Sequence, residues 1–179
     1  MSFLPPTLAR LRYYKHLGDL TFKQISDADF HFMPDNVSNS IAVIIQHMHG
    51  NMMSRWTNFL TEDGEKEWRQ RDAEFQVHDF SREQLLQLWE EGWTCFFNAI
   101  EPLQPGDFER TITIRGESLT VIDAILRQLA HYPYHVGQIV YIGRMIRKEK
   151  WESLSIPVGE SQHYNSGDGV KDPAKKFRS

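Results

Sequence analysis

Apolar residues recur at three- and four-residue steps along four long segments of this chain, and each segment reads as an amphipathic helix. The first spans about 8–25, after the start signal Pro5-Pro6-Thr7, with Leu8, Leu11, Leu17, Leu20 and Phe22 on one side. The second spans about 38–60, where Ser38 can cap a stripe of Ile41, Ile44, Ile45, Met48, Met52, Trp56 and Phe59. The third starts at Ser81, which forms a capping-box pattern with Gln84, and runs through Leu85, Leu88, Trp89, Trp93, Phe96 and Ile100 until Pro102 and Pro105 stop it. The fourth starts at Thr120, with Asp123 three residues on, and runs to about 150 through Ile125, Leu129, Tyr132, Val136, Ile139, Val140 and Ile146. Pro133 lies inside this last pattern, yet the periodicity continues on both sides, so one helix is expected.

Two connections are more than simple turns. Residues 61–80 are polar, charged and long for a link in a compact domain, which predicts a folded-back loop with a functional or packing role. Residues 110–119 alternate around Arg115-Gly116 and read as a short hairpin. The predicted architecture is all-α: a four-helix bundle with a short β-hairpin before the last long helix. It occupies residues 1–160, and residues 161–179 form an irregular tail whose last ten residues are expected to be mobile.

Composition narrows the function. The 179 residues are 40% hydrophobic and 25% charged, an ordinary globular balance, and the net charge of −4 argues against nucleic acid as a partner. No stretch is apolar enough to suggest a membrane span, and the single cysteine, Cys95, fits a reducing cytoplasm. Cys95 has no evident polarising neighbour and reads as structural rather than catalytic. Trp56, Trp68, Trp89, Trp93 and Trp151 read as core or interface material. No phosphate loop, nucleophile elbow or dinucleotide fingerprint is present.

The eight histidines carry the chemistry. His131 and His135 are spaced i, i+4, which places two imidazoles on one helix face, close enough to share a metal ion. A third ligand from the second helix, His47 or His49, would complete an open three-histidine site. Those two lie about 200° apart on a helix, so only one can join, and helical periodicity slightly favours His49. Gln138 and Asn51 read first as interhelix amides and otherwise as groups that orient a ligand or water. His16, His31, His78 and His163 are isolated and read as capping or surface residues. Arg55, Trp56, Trp68, Arg69 and Arg71 form an alternative cluster for an anionic substrate, but Glu62, Asp63, Glu65, Glu67, Asp72 and Glu74 interleave with it and are expected to pair with the arginines.

Four runs together resemble the DinB-like superfamily of small metalloenzymes: HMHGNMMSRWTNFLTEDGEKEWRQRDAEF (47–75), LWEEGW (88–93), ERTITIRGE (109–117) and RQLAHYPYHVGQIVYIGRMI (127–146). The likeness covers about 8–160 and is strongest to the superfamily's uncharacterised bacterial members. It implies a bundle in up-down-down-up order, a homodimer, and one metal-binding histidine on the second helix with two on the fourth. Residue by residue, those positions match His47, His131 and His135. His49 then falls outside the ligand set.

The resemblance implies a divalent metal, zinc or nickel first, with coordination positions left open to water or a small-molecule substrate. It further implies an S-transferase that uses a low-molecular-weight thiol, the metal binding the thiol as thiolate for attack on an electrophile. A hydrolase using metal-activated water is the other enzymatic reading, and a non-catalytic dimeric, stress-associated bundle is the reading from a different class. No catalytic residue beyond the metal ligands is identified.

Overall fold

Ser81 accepts a hydrogen bond from the Gln84 backbone N–H, and the Gln84 side chain accepts one from the Ser81 N–H, closing the box that starts α3 (Arg82–Ile100). The same chemistry starts α4 (Val121–Arg147), where the Thr120 hydroxyl accepts from the Asp123 N–H. The structure is a computed structural model and describes residues 3–178. It is 62% helix, with five α-helices and one two-stranded antiparallel sheet among the described residues.

The helix α1 (Leu4–Gln24) begins earlier than periodicity predicts, because Pro5 and Pro6 fit its first turn, where proline loses no hydrogen bond. The helix α2 (Ile41–Trp56) is capped by Ser40 rather than Ser38. It stops short of 60 because Asn58 adopts φ 50, a left-handed conformation that reverses the chain. The helix α4 is continuous through Pro133, as expected.

The strands β1 (Thr111–Ile114) and β2 (Glu117–Thr120) pair through a two-residue turn at Arg115 and Gly116, both at positive φ. A short α5 (Ser161–Ser166) lies in the tail. Residues 172–177, within the stretch whose sequence suggests a mobile end, make contacts with α1. Arg10 of α1 grips Asp172 through two 2.7 Å bonds, Ala174 is buried, and the Phe177 ring packs beside His16.

One apolar core joins α1 to α4. Trp56, Trp93, Phe96 and Tyr132 meet at its centre in edge-to-face pairs. The helices α2 and α3 approach closely where Gly92 faces Met52 and the His49 backbone, so a side chain at 92 would push them apart. Trp68, expected in a core or interface, is 57% exposed.

Tyr132 fixes α4 against α2. Its hydroxyl accepts from Trp56 Nε1 at 2.8 Å and donates to Asn51 Oδ1 at 3.2 Å, all within the core. With Tyr132 turned inward, the rotation of α4 is set for its sequence neighbours.

The loop 57–80 folds back over α2, as its composition predicts. Ser54 Oγ donates to the Gly64 carbonyl and accepts from the Lys66 N–H, and the Gly64 N–H donates to Thr113 O of β1. Asp63 accepts from the backbone N–H groups of Glu65, Arg115 and Gly116, each at 2.7–2.8 Å. Burial opposes ionisation of Asp63, but these hydrogen bonds win and bring its pKa down to about 2.

Two stability tests follow. Tyr132→Phe leaves Trp56 Nε1 without its acceptor and is expected to cost about 1–3 kcal/mol in denaturant unfolding. Asp63→Asn is expected to cost roughly 1–2 kcal/mol at pH 7. An unfolded aspartate titrates near 4, so the Asp63 contribution is complete above about pH 5. The difference between wild type and variant should shrink as pH falls from there towards about 2, the folded value.

Candidate metal centre

His131 and His135 face α2 one helical turn apart, and His47 meets them from α2. His131 Nε2 lies 3.0 Å from His135 Nε2 and 3.5 Å from His47 Nε2. One ligand nitrogen from each of the three falls within 4.8 Å of the others, so the cluster can hold a metal ion. Two nitrogens bound tetrahedrally to one zinc at about 2.0–2.1 Å sit roughly 3.4 Å apart, close to these spacings.

Each outward nitrogen faces an oxygen acceptor. His47 Nδ1 lies 2.9 Å from Glu74 Oε2, a carboxylate that only accepts, so the proton of a neutral His47 sits on Nδ1. His131 Nδ1 lies 3.1 Å from Gln128 Oε1, and His135 Nδ1 lies 2.8 Å from Gln138 Oε1. The Gln138 amide nitrogen is committed to Tyr134 Oη, which turns its oxygen to the imidazole. Each Nε2 therefore offers a lone pair to the same point. Three converging lone pairs repel unless a cation sits between them, and oxygen acceptors behind the imidazoles are the usual support of metal-binding histidines.

The surroundings of His131 and His135 favour their neutral forms. Burial, with His135, His47, Arg127 and Arg55 adding to it, lowers the His131 pKa to about 3. Burial also lowers that of His135, against the opposing Gln138 hydrogen bond. Glu74 is the exception that stays charged. Burial works against it, but hydrogen bonds from His47 and Arg69 and the Arg69 charge hold its pKa below the usual range. Arg69 binds it twice, Nε to Oε1 at 2.7 Å and Nη2 to Oε2 at 2.9 Å, with side chains only 2% and 9% exposed.

Glu74 and Arg69 come from the folded-back loop, and the sequence marks Glu74 only as a partner of the arginines, with no sign of its contact with His47. One signal was available: Gly50, a glycine inside α2. A Cβ there would collide with the Glu74 carboxylate, so the glycine opens the space through which Glu74 reaches His47. Phe75 stacks beside His47, its ring centroid 4.7 Å away.

The other histidines stand apart. His49, which periodicity favoured, lies beside α3, its Nε2 3.4 Å from Glu91. His31 meets the Phe80 carbonyl, His78 the Ala73 carbonyl and His16 the Phe177 ring, while His163 lies in α5. Burial raises the Cys95 pKa, which suits a structural thiol. Asn51 serves Tyr132, whereas Gln138, read first as an interhelix amide, orients His135. Two of the three arginines pair as expected, Arg55 of α2 with Glu65 at 2.6 Å and Arg69 of the loop with Glu74, whereas Arg71 lies 3.8 Å from the exposed Asp72.

A family model described as "Protein of unknown function (DUF1572)" matches residues 1–160. The chain belongs to this family. The DUF1572 match takes in all three clustered histidines together with Arg69 and Glu74. No curated protein and no solved structure matches the chain. No helix among the described residues is long and apolar enough to cross a membrane.

Gly50→Ala displaces Glu74 from His47 and is expected to weaken uptake of added zinc by about 10–100-fold, the usual cost of losing such a support. Competition with a chromogenic chelator measures it, with Glu74→Gln as the parallel variant.

Proposed function

We propose that this DUF1572 protein is a metal-dependent enzyme built on a DinB-like four-helix bundle of α1 to α4, in up-down-down-up order. His47, His131 and His135 would hold one divalent ion, zinc or nickel. The observation that carries this is the convergence of three Nε2 lone pairs with an oxygen acceptor behind every Nδ1. Imidazole donors suit both metals. Bound there, the ion supplies a Lewis acid that lowers the pKa of a thiol or a water and polarises a carbonyl.

The residues of the chain do the rest. Glu74 holds the His47 tautomer, Gln128 and Gln138 hold the other two, and Phe75 shields the His47 face. His47 and His131 line a cavity of about 240 Å³, which gives a small molecule access to the cluster. That access supports catalysis over a purely structural metal, whose sphere the protein would close. Transfer to or from a low-molecular-weight thiol is the leading reaction, with metal-assisted hydrolysis second. The homodimer implied by the DinB likeness and the cytoplasmic setting suggested by the single cysteine belong to the same proposal.

Metal analysis of untagged protein tests the centre. About one equivalent of zinc or nickel per chain is expected. His131→Ala and His135→Ala should each lose it, and His49→Ala should keep it. Retention of metal by either of the first two variants overturns the ligand set. Assays with thiol and electrophile pairs, and with activated esters, then separate the two reactions.

A further inference from the structure

The cavity beside His47 and His131 is walled by five guanidinium groups, from Arg55, Arg69, Arg71, Arg115 and Arg127. Two buried or half-buried carboxylates answer them. Glu65 takes Arg55, Arg69 and Arg115, at 2.6, 3.4 and 3.2 Å, and Glu74 takes Arg69. That leaves an excess of positive charge. Arg127 pairs with no carboxylate among the described residues, and Arg71 lies 3.8 Å from a fully solvated Asp72. Arg55, with its side chain only 4% exposed, keeps its Nε buried without a hydrogen-bond partner. An orphaned guanidinium N–H at that depth costs free energy unless something fills it.

The placement is specific. Arg127 stands four residues before His131 on α4, so it projects from the same helix face. Arg71 comes from the 3₁₀ turn Arg71–Phe75, which also supplies Glu74 to His47, and its guanidinium lies 5.2 Å from the Phe75 ring centre. Arg127 and Arg71 therefore come from segments that also serve the imidazole cluster, and the positive wall opens on the same space as His47 and His131. At about 240 Å³ the cavity is small beside the roughly 300–1,000 Å³ of drug-sized sites.

We infer that this cavity is an anion subsite: it takes the carboxylate or phosphoryl group of a small substrate or co-substrate and presents the rest of that molecule to the three-histidine cluster. Guanidinium groups bind such oxygens in pairs, with geometry as well as charge. The inference deepens the metalloenzyme reading by naming the substrate class, and it rests on that reading for the role of the neighbouring cluster.

Titration calorimetry on metal-free protein at low salt tests the subsite, with inorganic phosphate and succinate as separate probes. Wild type is expected to bind at least one of them, more weakly as sodium chloride is raised. The double variant Arg71→Gln/Arg127→Gln, which leaves both Glu65 and Glu74 pairings in place, should bind at least ten-fold more weakly and keep wild-type zinc uptake. Preference for phosphate assigns a phosphoryl group, and preference for succinate a carboxylate. Equal binding by wild type and double variant, or no binding of either anion by wild type, overturns the subsite. His135→Ala, at the one histidine of the cluster that does not line the cavity, separates the two readings: it should lose zinc and still bind the anion. Zinc retained in that variant sinks the metal centre and leaves the anion result standing.

Discussion

The ion pair between Arg69 and Glu74 is the interaction on which the site depends. Both side chains are almost wholly buried, so removing either one leaves the other charge buried without its closest partner. Losing one partner of such a pair typically costs about 3–5 kcal/mol. The pair also does geometric work. It holds the Glu74 carboxylate against His47, over a glycine that makes room for it, and so decides which nitrogen of that imidazole carries the proton. The loop 57–80 is thereby fastened to α2 at Ser54 and Arg55, to the hairpin through Asp63, and to the histidine cluster through Glu74.

The hydrophobic period marked all four long helices because each buries one face, and Ser81, Thr120 and the Arg115-Gly116 turn carried their signals locally. His131 and His135 were equally legible, being four residues apart on one helix. His47 was not separable from His49 by periodicity. Both lie near the border of the buried face, and what distinguishes them is contact with Glu74 and His131, which are distant in sequence. Only the family resemblance chose His47. The packing of Phe177 and Asp172 on α1 was hidden for the same reason: a polar, proline-containing end gives no sign of a docking partner 162 residues away.

Net charge misdirects in a related way. A chain at −4 overall concentrates five guanidinium groups around one small cavity, because the compensating carboxylates lie elsewhere on the surface. Field within a cleft depends on what lines it, and low-dielectric walls strengthen it.

The sequence distances within the cluster also order the events of folding. His47 is 27 residues from Glu74 and 84 from His131, so no short peptide of this chain can gather the three imidazoles. Closing loops of that length is opposed by entropy and must be offset by burial of the apolar core around Trp93, Phe96 and Tyr132. In a zinc finger the metal organises an otherwise unfolded chain. Here the core contains none of the three histidines, so apolar burial alone can bring them together, and an ion bound there would meet ligands already placed.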